Sequence, residues 1–144
     1  MTSAPGPLPH DGLYTRLGVS PGLGVGVFAL RDIPQGTNPF RGETAALARI
    51  PAATVEAIAD PAARRMYLDF CPLVDGHFLA PSSFNAMTVS WYMNHSDRPN
   101  IACDPDLNFL AARPIRAGEE LTVDYRTFSD HAGHFVDLWN TGAD

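Results

Sequence analysis

The chain has 144 residues, with 10 basic and 16 acidic side chains and a formal net charge of −6. This length suits one domain, and a content of 45% apolar and 18% charged residues is typical of a globular rather than a disordered chain. An acidic chain without a basic cluster argues against a nucleic-acid partner, and no apolar run approaches the roughly 20 residues that span a membrane.

In the first half of the chain, turn residues separate short apolar segments. Residues 1–12 are rich in Pro and Gly and lack the pattern of an export signal, which predicts a flexible tail on a cytoplasmic protein. The segment Val25–Leu30 predicts a strand, and Asn38–Glu43 its returning partner. A helix is expected over Pro51–Ala59. A second helix is expected over Asp60–Tyr67, where Asp-Pro supplies an N-cap and a first-turn proline.

The second half continues with short elements. We expect a strand at His77–Ala80 and a hairpin of Ile101–Cys103 and Asn108–Ala112 around an Asp-Pro-Asp turn. Glu120–Val123 predicts a further strand, and Phe135–Trp139 a short terminal helix. Because regular βαβ alternation is absent, the sequence predicts a mainly β domain with short helical inserts.

One pattern, A-x-R-x-I-x-x-G, occurs twice. It covers Ala29–Gly36 and Ala111–Gly118. Two copies are too few for a solenoid, which needs about three stacking units. We therefore interpret the repeat as a strand followed by a polar turn, used twice.

Potential metal ligands are few. The chain has two cysteines, Cys71 and Cys103, which cannot form a four-cysteine zinc site. His131 and His134 have H-x-x-H spacing but lack further ligands. We predict no metal site.

A glycine cluster, Gly22-Leu23-Gly24-Val25-Gly26, overlaps the first predicted strand. It differs from a dinucleotide fingerprint because Val27 stands where the last glycine is needed and a strand follows instead of a helix. It is no P-loop either, since the chain contains no lysine. Glycines here allow either a plain turn or a close approach of the backbone to a ligand.

Further motifs follow the glycine cluster in a fixed order. The set comprises Gly24-x-Gly26, Arg31-Asp32-Ile33-x-x-Gly36, Phe40-x-Gly42-Glu43, Asn94-His95-Ser96-x-x-Pro99-Asn100 and Gly118–Tyr125. Over about residues 14–128 this order resembles the SET-domain family of protein lysine methyltransferases. The last two motifs are the specific ones.

The resemblance implies a fold that periodicity does not provide. SET domains are β-clip folds of short curved sheets, in which a C-terminal pseudoknot places the Asn-His-Ser and Asp-Tyr motifs side by side. By this likeness residues 13–128 form the SET domain. Residues 129–144 form a C-terminal tail or a short helix that covers the substrate channel.

The resemblance also implies a cofactor, S-adenosylmethionine, on one face of the domain and a substrate peptide on the other. The cofactor would be held by the backbone of Gly24, Val25 and Gly26 and by Asn94 and His95. The side chain of Asn94 would contact its amino-acid end, and the backbone of His95 its adenine.

The chemistry implied for this family suits Tyr125. Methyl transfer from a sulfonium is an in-line displacement, so the enzyme mainly positions the reactants and excludes water. Lysine must attack as the neutral amine, whose formation at pH 7 costs about 4–5 kcal/mol from a pKa of about 10.4. An apolar channel beside a cation lowers that cost. We assign Tyr125 to orienting the amine, since a phenol is a poor general base, and Asp124 to bracing the turn.

Four residues are assigned to the substrate channel: Val123, Cys103, Tyr92 and Phe128. In the family, an aromatic residue two positions before the motif tyrosine often lines this channel, and a tyrosine hydroxyl there limits the product to one methyl group. Val123 occupies that position, and Cys103 lies near an alternative one. Neither supplies a phenol, so we predict di- or trimethylation unless Tyr67, Tyr92 or Phe128 reaches into the channel from elsewhere.

One departure from the family concerns zinc. Many relatives have a Cys at the position of Asp97, and that Cys belongs to a zinc segment after the domain. Residues 126–144 contain no cysteine, so something else must cover the channel. Phe128, Phe135 and Trp139 are candidates, as is the partner subunit of a homodimer. An amphipathic tail helix packed on the domain explains these aromatic residues equally well.

Two alternatives to a protein lysine methyltransferase remain open. One is a SET-like module that binds a peptide or cofactor without turnover, which the joint presence of Asn94, His95 and Tyr125 disfavours. The other is methylation of a small amine. The expected partner is a protein or peptide that presents a lysine, with no membrane or nucleic acid involved.

Overall fold

Short strands dominate the structure, a computed structural model that describes residues 8–41, 43 and 47–130. The strands are β1 (Thr15–Ser20), β2 (Gly24–Ala29), β3 (Ala48–Pro51), β4 (Leu73–Val74), β5 (His77–Ala80), β6 (Asn94–His95), β7 (Ile101–Cys103), β8 (Phe109–Ala111) and β9 (Glu120–Val123). The α-helices are α1 (Ala52–Glu56) and α2 (Pro61–Phe70), and 3₁₀ turns cover Phe84–Ala86, Val89–Tyr92 and Tyr125–Thr127. The prediction of a mainly β fold with short helical inserts is confirmed.

Strand β9, the last in the described part of the chain, lies in the middle of the main sheet, whose order is β1-β2-β9-β7-β8. It pairs antiparallel with β2 and parallel with both β6 and β7. In the β6 pairing, Asn94 lies opposite Thr122 and His95 opposite Val123. This pairing places the Asn-His-Ser motif beside the Asp-Tyr motif, as the family resemblance predicted.

Buried and partly exposed side chains alternate along β9, which suits a strand in the centre of the main sheet. Leu121 and Val123 are buried, whereas Glu120 and Thr122 lie on the other face and are only partly covered. The two buried side chains belong to the main core, which also contains Val27, Ile33, Phe40, Met93, Ile101, Ala111 and Ile115.

The two copies of the A-x-R-x-I-x-x-G pattern pair with each other. Ile33 and Ile115 form an antiparallel bridge, with N–O distances of 2.7 and 2.9 Å. In both directions, the amide of the final glycine donates over 2.8 Å to the carbonyl of the first alanine in the other copy. Gly36 and Gly118 have φ angles of 85° and 89°, a region that favours glycine. The repeat is therefore a reciprocal contact that joins the beginning and end of the domain.

A second layer, the insert (residues 48–86), has its own sheet of order β3-β5-β4. Its core consists of Val55, Cys71, Phe78 and Ala80, surrounded by partly buried aromatic and aliphatic side chains. Burial raises the pKa of the Cys71 thiol to about 12. This cysteine is therefore a neutral core residue.

The two predicted helices form with different bounds. The Pro51–Ala59 helix is shortened to α1, because Pro51 still pairs in β3 with His77 and the chain turns after Glu56. The Asp60 cap is confirmed, since its Oδ1 accepts the Ala62 amide over 2.9 Å. The capped helix continues past Tyr67 to the end of α2.

The returning strand predicted at Asn38–Glu43 is wrong for the part of it that the structure describes. Asn38 accepts the Phe40 amide on its side chain over 2.9 Å, and the Glu43 amide donates to the Phe40 carbonyl over 3.0 Å. These local bonds produce consecutive turns instead of a ladder. Strand β2 pairs with β1 and β9 instead.

The remaining strand predictions are confirmed, including the β7–β8 hairpin. Its turn is closed by Asp104, whose Oδ1 accepts the amides of Asp106 and Asn108 over 2.9 and 2.8 Å. The predicted helix Phe135–Trp139, together with His131 and His134, lies outside the described residues. Among the described helices, none has the length and apolar character needed to cross a membrane.

Candidate active site

A cleft of about 830 Å³ opens between the main sheet and the insert. This volume lies within the range of small-molecule sites. The predicted site residues that line it are Val25, Tyr92, Asn94, Val123, Tyr125 and Phe128. The predicted site residues that do not line it are Gly24, Gly26, His95 and Cys103.

The amide of Asn94 is held by two acceptors at the end of the cleft formed by β2. Its Nδ2 donates to the carbonyl oxygen of Val25 over 3.0 Å and to Oε2 of Glu120 over 2.9 Å. The side chain is only 3% exposed. With both amide hydrogens engaged, the remaining polar atom of Asn94 is its carbonyl oxygen.

Glu120 lies within the Gly118–Tyr125 motif, but the sequence indicated no role for it at the site. Its Oε1 accepts a hydrogen bond from Ser20 Oγ over 2.7 Å, while Oε2 accepts from Asn94. The carboxylate lies directly over Gly26, where an added Cβ would be 2.5 Å from Oε2. Gly26 therefore accommodates this carboxylate and does not contact the cleft itself.

Tyr125 presents its hydroxyl to the backbone at the start of the Asn-His-Ser motif. The hydroxyl donates to the carbonyl oxygen of Met93, immediately before Asn94. Burial raises the pKa of this phenol above its ordinary value of about 10, with the nearby charge of Glu120 as a smaller cause. The phenol is therefore protonated at neutral pH, which agrees with its assignment to orientation and not to proton abstraction.

His95 contacts Tyr125 instead of the cleft. Its Nδ1 accepts the backbone N–H of Tyr125 over 3.1 Å, so the ring proton is assigned to Nε2, which donates to Asp97 over 3.2 Å. The two rings are also 5.3 Å apart at their centroids. The side chain of His95 thus fixes the backbone from which the Tyr125 phenol projects.

Asp124 braces the turn that follows β9, as predicted. It accepts the Arg126 amide over 3.0 Å and the Arg126 guanidinium over 2.9 and 2.8 Å. Hydrogen bonds from Arg126 hold the pKa of the Asp124 carboxyl below its usual range. Arg126 also reaches Asp97 over 3.0 Å and so ties the Asn-His-Ser loop to the C-terminal segment.

Four rings form an aromatic wall on one side of the cleft: Phe40, Phe109, Phe128 and Tyr125. Consecutive rings meet edge to face, with centroid distances of 6.2, 5.6 and 6.0 Å. Phe109 was missed from the sequence, although it lies directly opposite Cys103 in the hairpin. The longer Phe109 side chain reaches the cleft, whereas Cys103 does not. Burial raises the pKa of the Cys103 thiol to about 11, with the nearby charge of Asp104 as a smaller cause.

The opposite side of the cleft comes partly from helix α2. Arg65, Asp69 and Phe70 line it, with Arg65 Nε 3.0 Å from Asp69 Oδ1. Two other α2 residues, Arg64 and Tyr67, lie away from the cleft. Arg64 donates to the Ile58 carbonyl over 3.0 Å, and Tyr67 packs on the insert core. The Arg-Asp spacing of one helical turn was a usable sequence signal, but it does not indicate a cleft by itself.

Glu43, from the Phe-x-Gly-Glu motif, holds the 3₁₀ turn Val89–Tyr92 in place. Its two carboxylate oxygens accept the Ser90 amide over 3.1 Å and the Ser90 hydroxyl over 2.7 Å. This anchors the 3₁₀ turn that supplies Trp91 and Tyr92 to the cleft. The motif residue therefore acts through Ser90 as a support.

Comparisons with known proteins agree with this geometry. The chain belongs to the SET-domain family, whose family model matches residues 24–126. A crystal structure of a candidate histone methyltransferase from Plasmodium falciparum is similar, with a TM-score of 0.54 and 22% sequence identity, covering 78% of this chain and 93% of that chain. At this identity the likeness shows a shared fold. No curated protein matches the chain by sequence.

Proposed function

We propose that this SET-domain protein transfers a methyl group from S-adenosylmethionine to the side-chain amine of a lysine in a protein or peptide. The observation that carries the proposal is the pairing of β6 with β9. It brings the Asn94 amide and the Tyr125 phenol into one cleft from distant parts of the chain. Asn94 offers a hydrogen-bond acceptor for the cofactor, and Tyr125 offers a hydroxyl for the lysine amine.

The cofactor end of the cleft suits S-adenosylmethionine. The Asn94 oxygen is an acceptor for the ligand's ammonium group, and the Glu120 carboxylate behind it favours positive charge. The faces of Tyr125 and Phe128 are compatible with a nearby cation. When bound, this cofactor supplies an electrophilic methyl group.

The acceptor amine is proposed to lie along the aromatic wall. An amine that leaves water for this apolar surface loses the solvation that favours its ammonium form. Removal of the proton becomes easier for the same reason, and a neutral amine is the form able to attack a sulfonium methyl. The wall also limits competing access by water.

Tyr125 is proposed to align the amine. Its hydroxyl proton is directed at the Met93 carbonyl, so the phenol oxygen meets other donors as an acceptor. An amine N–H directed at that oxygen points the nitrogen lone pair in a defined direction, which is the requirement of an in-line displacement. The His95 contact to the Tyr125 amide keeps this alignment in place.

A basic segment is the proposed protein substrate. The chain carries a net charge of −6, and the cleft lining contains three carboxylates and one guanidinium among its described residues. These charges favour a cationic partner. The comparison structure, named as a candidate histone methyltransferase, is consistent with a basic substrate.

The proposal is tested by incubating the purified protein with methyl-labelled cofactor and a cell lysate, followed by mass spectrometry of the labelled proteins. We expect label on lysine side chains, and far less label with the Tyr125→Phe variant. Labelled lysine cannot come from the enzyme itself, because its chain contains no lysine. A folded wild type that binds the cofactor but labels no protein would contradict the proposal and favour a binding module or a small-amine acceptor.

A further inference from the structure

We infer that Glu120 is a positioning residue: it sets the orientation of the Asn94 amide and thereby makes the cofactor end of the cleft selective for an ammonium group. This inference rests on the proposed function, since it concerns how the same cofactor is recognised. It assigns a role to a residue on β9 that does not line the cleft.

The first step is that only one orientation of the Asn94 amide fits its surroundings. In that orientation Nδ2 faces two oxygen acceptors, the Val25 carbonyl and Glu120 Oε2. Rotating the amide by half a turn would place its oxygen 3.0 and 2.9 Å from those acceptors. Two repulsive contacts at a residue that is 3% exposed exclude this alternative.

The second step is that the Glu120 carboxylate is itself held in place. Ser20 donates to its other oxygen over 2.7 Å. Gly26 leaves room for it, since a Cβ there would lie 2.5 Å from Oε2 and 3.0 Å from the Ser20 Cβ. The second glycine of the Gly-x-Gly motif therefore acts on the cofactor indirectly, through Glu120 and Asn94.

The third step concerns what the arrangement recognises. With its NH₂ group engaged, Asn94 offers a ligand an acceptor and no donor. A carboxylate within 2.9 Å of the amide nitrogen makes this end of the cleft more negative. A ligand ammonium is favoured there, whereas a neutral group without a donor leaves the Asn94 oxygen unpaired.

The test compares two probes by calorimetry: S-adenosylhomocysteine and its analogue without the amino group. The ratio of their affinities measures ammonium recognition, and general weakening of the site cancels from it. In the wild type we expect the amine-bearing probe to bind about 10-fold tighter or more, as for a buried hydrogen bond to a charged group. In Glu120→Ala the Val25 carbonyl still accepts one Asn94 N–H but the carboxylate is gone, so the ratio should fall by about threefold or more.

Three further variants separate the role of Glu120 from a structural one. Glu120→Gln keeps an oxygen for Asn94 and should retain most of the ratio. Ser20→Ala removes the hydrogen bond that holds the other carboxylate oxygen and should lower the ratio by less than Glu120→Ala does. Gly26→Ala should lower the ratio by displacing the carboxylate, and it decides the matter if Glu120→Ala does not fold.

The outcomes distinguish the two proposals. If the wild type binds neither probe, the proposed function is overturned. If the wild type discriminates between the probes and folded Glu120→Ala or Gly26→Ala discriminates equally, the positioning role of Glu120 is overturned.

Discussion

The main sheet and the insert contribute to the same cleft in different ways. The main sheet supplies Asn94 and Tyr125, whose polar atoms are held by backbone pairing and by Glu120 and His95. The insert supplies surface from α2, and its own core is separate. The comparison teaches that the groups proposed to act on cofactor and amine lie beside the strand that pairs with three others, while the insert adds surface to the same cleft.

The largest effect that would sharpen this comparison is expected for Tyr125→Phe. Loss of the hydroxyl should reduce turnover by about 100-fold or more, the scale observed when one oriented hydrogen-bonding group is removed from an active site. Cofactor affinity should change little, because the ring is retained, and the lost hydrogen bond to the Met93 carbonyl should lower the free energy of unfolding by about 1 kcal/mol. Steady-state kinetics and calorimetry check this. Wild-type turnover in the folded variant would show that the hydroxyl does not orient the amine.

The second effect is on cofactor affinity, for Asn94→Ala. Removing a buried polar anchor should weaken binding by about 1–3 kcal/mol, or about 5- to 150-fold. The matched control is Asn85→Ala, an exposed asparagine in the insert, which should bind as the wild type does. Equal affinities of the two variants in calorimetry would contradict the assignment of Asn94.

Two buried valines test whether the insert can be destabilised without affecting cofactor binding at the main sheet. Val55 in the insert and Val27 in the main core are 1% and 0% exposed, and truncation of either to Ala should lower the free energy of unfolding by about 2 kcal/mol. Folded Val55→Ala should keep its cofactor affinity within about threefold. Val27→Ala should lose more cofactor affinity than Val55→Ala, because Val27 directly follows the Gly-Val-Gly segment of β2. Urea unfolding and calorimetry measure both, and an equal loss of affinity in the two would refute independence.

Product distribution is the next test, since it depends on the channel alone. The wild type should form di- or trimethylated product, because Val123 and the phenylalanines of the aromatic wall supply no hydroxyl to retain a monomethylated amine. Tyr92 also lines the cleft, but its ring packs edge to face on Phe70 of α2, with 6.1 Å between the centroids. Val123→Tyr should shift the product toward monomethylation. Phe109→Tyr tests the channel residue that the structure identifies in place of Cys103. Intact mass spectrometry at long reaction times, showing only monomethyl product from the wild type, would contradict this prediction.

The smallest effect concerns pH and Asp124. Its pKa is lowered in the folded state by Arg126, so its stabilising contribution is present above the unfolded pKa of about 3.9 and is lost as the pH falls through the folded value. Asp124→Asn should therefore be less stable than the wild type near pH 6, by about 1 kcal/mol or less, and equal to it in strong acid. Urea unfolding at both pH values checks this. The same pH dependence in Asp106→Asn, on the exposed hairpin turn, would refute the assignment.

Local chemistry made several features predictable from the sequence. The Asp60 cap and the turn closed by Asp104 depend on neighbours within four positions. The family motifs indicated Asn94 and Tyr125. The role of Glu120 was not predictable, because its partner Ser20 lies 100 positions away. The returning strand at Asn38–Glu43 failed because Asn38 bonds to its own backbone neighbour.

The central place of β9 has a consequence for how the protein is made. Every partner of this strand is synthesised before it, yet none of those pairings can form until residues 120–123 leave the ribosome. Contacts between such distant segments form slowly, since a long loop must close before any of them stabilises it. During synthesis the edge of β2 that pairs with β9 therefore stays unpaired, and Tyr125, the proposed catalytic residue, follows β9. The main sheet is therefore completed late, in the same step that brings Asn94 and Tyr125 together.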